Sequence, residues 1–210
     1  MAVQQVATGL IADGAVTSAK LATGAAVANI GAGGITSNEL GAAAVTPAKL
    51  SQPFTQGTAQ NSTSGTAIDF TGIPSWAKRI TISLYGVSTN GTSNLQVQVG
   101  NGSVVTTGYS SFASYAGGAN QSSGAASTTG LLVTATQAAA STVYGVITLV
   151  NLSGNNWTHS AVNTQFNGSS YYGGTGNGII ALAGALDRVR ITTVNGTDTF
   201  DAGSVNILYE

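Results

Sequence analysis

The run Thr142-Val143-Tyr144-Gly145-Val146-Ile147-Thr148-Leu149-Val150 is apolar along its length, which predicts a central strand covered on both faces. Gly154-Asn155-Asn156 follows and reads as a turn. Then comes Trp157-Thr158-His159-Ser160-Ala161-Val162-Asn163-Thr164-Gln165-Phe166, in which apolar and polar residues alternate. Period two is the signature of a half-buried strand. The same alternation recurs in Arg79-Ile80-Thr81-Ile82-Ser83-Leu84, in Asn94-Leu95-Gln96-Val97-Gln98-Val99, in Arg188-Val189-Arg190-Ile191-Thr192 and in Ser204-Val205-Asn206-Ile207-Leu208-Tyr209. Ile179-Ile180-Ala181-Leu182-Ala183 adds a further strand. Asn90-Gly91 and Asn195-Gly196 read as hairpin-type turns. No stretch after Phe54 has a convincing helical period. Many short strands joined by Gly, Asn and Ser turns give an all-β fold, a C-terminal β-sandwich or jelly roll. At about 155 residues such a domain is large enough to bury its own core.

Upstream the pattern changes. Gly14-Ala15-Val16-Thr17-Ser18-Ala19-Lys20-Leu21, Gly33-Gly34-Ile35-Thr36-Ser37-Asn38-Glu39-Leu40 and Ala43-Ala44-Val45-Thr46-Pro47-Ala48-Lys49-Leu50 are copies of one repeat. Val or Ile suits a short extended segment. The Thr that follows is a helix N-cap. Thr46-Pro47 puts Pro at the first helical position, and Thr36-Ser37-Asn38-Glu39 fits a capping box. Each copy reads as a short strand plus one helical turn. One copy cannot bury its own Val or Ile and Leu, and the copies are few, so identical chains are the expected neighbours. Val16, Leu21, Ile35, Leu40, Val45 and Leu50 are the expected core of this shaft. A flexible Gly/Ala linker is the alternative reading. Ser51-Gln52-Pro53-Phe54 ends the repeats, which sets a shaft and attachment region at 1–53 and a head domain at 54–210. Residues 55–65, rich in Gln, Asn, Ser, Thr and Gly, read as a linker or exposed loop.

Composition excludes several functions. Of 210 residues only 6 are Lys or Arg and 7 are Asp or Glu, for a net charge of −1. Six scattered cations make no basic patch for phosphates, so no nucleic-acid partner is expected. No run of about 20 apolar residues is present, so no membrane insertion is expected. The absence of Cys removes disulfides, thiolate metal sites and Cys nucleophiles. Met1-Ala2-Val3-Gln4-Gln5 lacks a basic n-region, so an extracellular role would depend on another route or particle. Neutral polar surfaces repel like copies weakly, which favours assembly.

The chemistry-bearing residues are sparse. Asp198 and Asp201 lie close in sequence but in a turn-rich stretch, and a glycosidase needs two carboxylates flanking one bond. They offer oxygen ligands to a hard cation, though calcium takes six or more, and whether a cation binds there stays open. His159, the one His, falls on the strand face of Trp157 and reads as a surface or interface residue. No Gly-x-Ser-x-Gly elbow accompanies it. Gly173-Gly174-Thr175-Gly176-Asn177-Gly178 lacks the Lys-Ser/Thr of a phosphate loop. Asn90, Asn156 and Asn195 stand in Asn-x-Ser/Thr triplets that read as turns rather than glycan sites. No catalytic residue, metal site or cofactor is expected, and the protein is read as a non-enzyme. Aromatics in polar loops are the better lead. Tyr171 and Tyr172 follow Asn167-Gly168-Ser169-Ser170, and Tyr109, Phe112 and Tyr115 precede the Gly/Ser-rich residues 117–124. Rigid Tyr beside adaptable Ser, Gly and Asn makes a recognition surface, and equally fills a subunit seam. Tyr171, Tyr172, Tyr109, Tyr115 and Trp157 are the candidate receptor contacts.

These features together resemble phage fibre proteins. The Val-Thr-x-x-Lys-Leu repeats look like tail-fibre shafts. Ile73-Pro74-Ser75-Trp76-Ala77-Lys78-Arg79-Ile80 is similar to the start of their terminal β-domain, and residues 186–210, which include Asn195-Gly196-Thr197-Asp198, are similar to their C-terminal ends. The resemblance implies a homotrimer on the virion surface, joined to other virion proteins through its N-terminal region. It implies an outward C-terminal domain that binds a bacterial surface receptor, with a saccharide as one candidate. A capsid-bound head fibre or decoration that mainly stabilises the shell is the alternative, and a polysaccharide-degrading tail spike a more distant one.

Overall fold

The computed structural model describes residues 45, 49–50, 52–117, 121–139 and 141–210. The chain divides into two compact units, Met1–Leu50 and Ser51–Glu210. Val16, Leu21, Ile35 and Leu40 lie outside the described residues, and with them the repeat reading. Val45 and Leu50 are described, and both are exposed.

Among the described residues the strands begin with β1 (Thr55–Gln56), β2 (Gln60–Asn61), β3 (Ala67–Thr71), β4 (Arg79–Thr89) and β5 (Leu95–Asn101). They continue with β6 (Ser103–Val104), β7 (Ser110–Gly117), β8 (Ser122–Ser127), β9 (Leu131–Leu132) and β10 (Thr142–Ser153). The last are β11 (Asn156–Phe166), β12 (Tyr171–Ala181), β13 (Arg188–Thr193) and β14 (Phe200–Tyr209). The protein is all-β, and its sheets are antiparallel. The larger sheet runs β1-β14-β4-β10-β11-β12-β7-β8, with β2 also on β14. The smaller runs β3-β13-β5-β6, with β9 also on β5.

One buried cluster joins the two sheets. Ile82 and Leu149 of the large sheet and Val97 and Ile191 of the small one are each 0 % exposed within it. Full burial of one such side chain contributes about 1.5–3 kcal/mol. The β10–β11 hairpin follows the sequence closely. Ser153 pairs with Asn156, and Gly154 takes the positive φ of 54° that the two-residue turn requires.

Several local expectations change. β10 is central in the large sheet, between β4 and β11, but only one of its faces is covered. Tyr144, Val146 and Val150 stay exposed on the other, because this sheet has one core beneath it. The stretch read as a linker contains β1 and β2, which pair along the β14 edge. The Asn-Gly turns are not hairpins. Asn90-Gly91 carries the chain from the large sheet to the small one, and Asn195-Gly196 carries it back. The two crossings are stitched together: the Asn90 N–H donates to the Thr199 carbonyl at 3.0 Å, and the Thr199 N–H donates to Asn90 Oδ1 at 2.9 Å. β5 is covered on both sides, since Gln96 and Gln98 lie under the Thr129 segment through side-chain hydrogen bonds.

Candidate functional site

Strands β10, β11, β12, β7 and β8 are successive neighbours in the large sheet, and none carries Asp, Glu, Lys or Arg. Residues 80–186 as a whole contain no such residue, a sequence signal that composition totals conceal. Alternation sends two sets of neutral side chains from these strands to opposite faces.

On the outer face, Val146 pairs with Val162 across β10 and β11. Ile179 of β12 and Phe112 of β7 are exposed further along the same face, beyond Thr175 and Asn177. Tyr85 of β4 meets Tyr144 edge to face, with centroids 5.9 Å apart. Nine large apolar residues here are 40 % to 74 % exposed. Thr148, Thr158, Ser160, Thr164, Thr175 and Asn177 stand among them on the same face, so the exposed apolar groups are interleaved with neutral polar ones. Of these residues only Tyr171 was a candidate receptor contact, and Phe112 was noted beside the other aromatics. For Tyr144, Val146, Val150 and Leu152 the signal is the doubly apolar pattern of β10.

The inner face differs. Beside the shared core it is covered by residues 131–139: Asn163 Nδ2 donates to the Val133 carbonyl at 2.7 Å, and the Leu132 N–H donates to Ser111 Oγ at 2.7 Å. His159 points to this side and is 4 % exposed, so it is buried rather than a surface residue. It does share the face of Trp157, as alternation requires, but that face is the inward one. Burial lowers its pKa from 6.5 to about 4, and neither ring nitrogen has a hydrogen-bond partner among the described residues.

Where the inner face reaches the Phe166 end of β11, a pocket of about 100 Å³ opens. Tyr115, Thr136, Ser141, Gln165, Asn167 and Tyr172 line it. The Tyr115 and Tyr172 rings stand at 87° with centroids 5.5 Å apart. Gly117, opposite Tyr172 in the ladder, permits this: a Cβ there would fall on the Tyr172 ring. Asn167 Nδ2 donates to the Tyr172 hydroxyl at 3.0 Å, while Asn167 Oδ1 holds the Ser169 and Ser170 N–H groups of the turn. Gln165 is 3 % exposed, and its Nε2 has no partner among the described residues.

The five aromatic candidates therefore part company. Tyr115 and Tyr172 meet in the pocket. Tyr171 is the first residue of β12 rather than a loop residue, and it lies on the outer face against Phe166, with centroids 4.6 Å apart. Tyr109 and Trp157 are corrected from surface contacts to buried residues, at 3 % and 4 % exposure. The Tyr109 hydroxyl is used inside the fold. It accepts from the Val99 N–H at 2.9 Å and donates to the Val105 carbonyl at 2.8 Å, and burial raises its pKa to about 12.

Asp198 serves the turns, while Asp69 pairs with Arg190 across β3 and β13. Asp198 accepts from the Ser93 N–H at 2.9 Å and from Asn195 Nδ2 at 2.6 Å. Among the described residues no three His, Cys, Asp or Glu side chains come together as a metal site. No protein-family model matches this chain, and no curated protein or solved structure matches it at a significant level.

Proposed function

We propose that this chain is a structural, non-enzymatic fibre protein of a bacteriophage virion. In this reading it is a homotrimer. Residues 1–53 form its shaft and attachment region, and residues 54–210 form a β-sandwich head of jelly-roll type that meets the bacterial surface. The observation that carries the reading is the outer face of the large sheet from β10 to β8, which has no charged side chain and leaves large apolar residues exposed among neutral polar ones. Large apolar side chains left exposed on one uncharged face support an interaction surface. A second copy of the same chain fits it best, because a face without charge neither repels its own kind nor selects a charged partner. The charge-poor sequence and the resemblance of the terminal segments to phage fibres support the virion setting.

Light scattering on the full chain at micromolar concentration tests the assembly. The expected mass is three times the chain's 20.7 kDa, nearly unchanged between low and high salt. A clean monomer removes the reading. Electron microscopy of labelled virions tests the location. Label at fibre tips supports host contact, whereas label spread over the capsid shell replaces it with the shell-stabilising alternative.

A further inference from the structure

His159 is the one side chain on the inner face of β11 that gains a charge in mild acid, and nothing around it is arranged to receive one. It is 4 % exposed, and neither ring nitrogen has a hydrogen-bond partner among the described residues. Trp157 and Ala161 flank it on its own strand, and Leu149 of β10 and Gly178 of β12 are its partners in the ladders. The Leu132 carbonyl of the covering segment and His159 Cε1 both border the place where Gly176 lacks a Cβ. None of these side chains titrates. The Ser111 hydroxyl of β7 is occupied by the Leu132 N–H and the Asn177 carbonyl. The Tyr109 hydroxyl is occupied by Val99 and Val105. Across the core the small sheet presents Val97, Val99, Val189 and Ile191, while alternation turns Asp69, Arg188 and Arg190 to its other face. An imidazolium formed here would be a buried charge without a carboxylate.

Two elements enclose the ring, and they are not equally firm. Every residue of β11 from Asn156 to Phe166 is paired with β10 on one side and β12 on the other. The cover, residues 131–139, pairs as a strand only at Leu131–Leu132, with β5, and residues 133–139 form no strand. Among the described residues its hydrogen bonds to the large sheet are those at Ser111 and Asn163. The seam beneath it is incompletely satisfied: Gln137 Oε1, Asn163 Oδ1 and Gln165 Nε2 are buried without partners among the described residues. Water admitted there satisfies all three, which lowers the cost of lifting the cover. Leu131, Leu132 and Val133, buried to 0–1 % exposure, hold it down while His159 is neutral.

We propose that His159 is an acid-operated latch: when it is protonated, residues 131–139 lift from the large sheet while the two sheets stay joined. The imidazolium gains water, and β11 keeps its pairing. The inference goes beyond the proposed function and does not depend on it. Proton uptake drives the opening. His159 binds its proton near pH 6.5 when wet and near pH 4 when covered, so the opening constant rises up to about tenfold for each pH unit lost between these values.

Hydrogen exchange of the full chain, followed by mass spectrometry at pH 7 and pH 4.5 and divided by the intrinsic rate at each pH, tests the latch. Peptides spanning residues 131–139 are expected to lose protection at least about tenfold at pH 4.5, and peptides from β4 and β14 to keep theirs. His159→Leu is expected to abolish the difference at residues 131–139. The variant keeps every carboxylate of the parent, so their titration is subtracted. If His159→Leu fails to fold, His159→Gln, neutral and close in size, decides. Protection of residues 131–139 that does not change with pH, a loss spread equally over β4 and β14, or a pH dependence that survives the substitution each overturns the proposal.

Discussion

The hydroxyl oxygen of Tyr109 lies 2.9 Å from the backbone nitrogen of Val99 and accepts its hydrogen, fastening the approach to β7 onto the middle of β5. Tyr109→Phe leaves that N–H without a partner in a buried place. The expected loss is about 1–3 kcal/mol in stability, measured as a lower urea midpoint at unchanged slope. Host adsorption by the folded variant should stay normal. Reduced adsorption would return Tyr109 to the recognition surface.

His159 makes stability depend on pH. Its folded pKa, about 4, lies below its ordinary 6.5. Between these values the unfolded chain binds more protons, so stability rises with pH. The contribution is fully present above pH 6.5 and is lost as pH falls toward 4, by roughly 3 kcal/mol. His159→Leu should remove this part of the profile. Parallel profiles of the two proteins between pH 4 and 6.5 would show that His159 is not held neutral.

The outer face can be tested without touching the core. Val162 and Ile179 are 63 % and 57 % exposed, so replacing both with Lys should cost the single chain little, about 0.5 kcal/mol each. Association should weaken at least about tenfold, because ammonium groups cannot be buried unpaired between copies. Sedimentation across a dilution series reads this. Unchanged association would assign the assembly to residues 1–53 instead.

Gly176 has the carbonyl oxygen of Leu132 where a Cβ would sit. That neighbour is backbone of β9 and cannot rotate away. Gly176→Ala should therefore push residues 131–132 off the large sheet and cost about 1–3 kcal/mol. A thermal melt within a degree of the parent would show that this covering segment is looser than its hydrogen bonds imply.

Period two by itself determined the fold class. Ile80, Ile82 and Leu84 point one way because successive residues of a strand point oppositely, and no helix satisfies that spacing. The β10–β11 hairpin was equally legible, since Gly154 and the runs beside it are local signals. Tertiary structure alone decided which face is inside. Alternation placed His159 with Trp157, but it carries no label for core and solvent. Pairing was also beyond local reading. The Asn-Gly turns look like hairpins, yet they join different sheets, because partner strands are chosen by contacts far apart in sequence. The pocket has the same origin. Tyr115, Gln165 and Tyr172 become neighbours only when β7, β12 and β11 align in register, which no window of the chain displays.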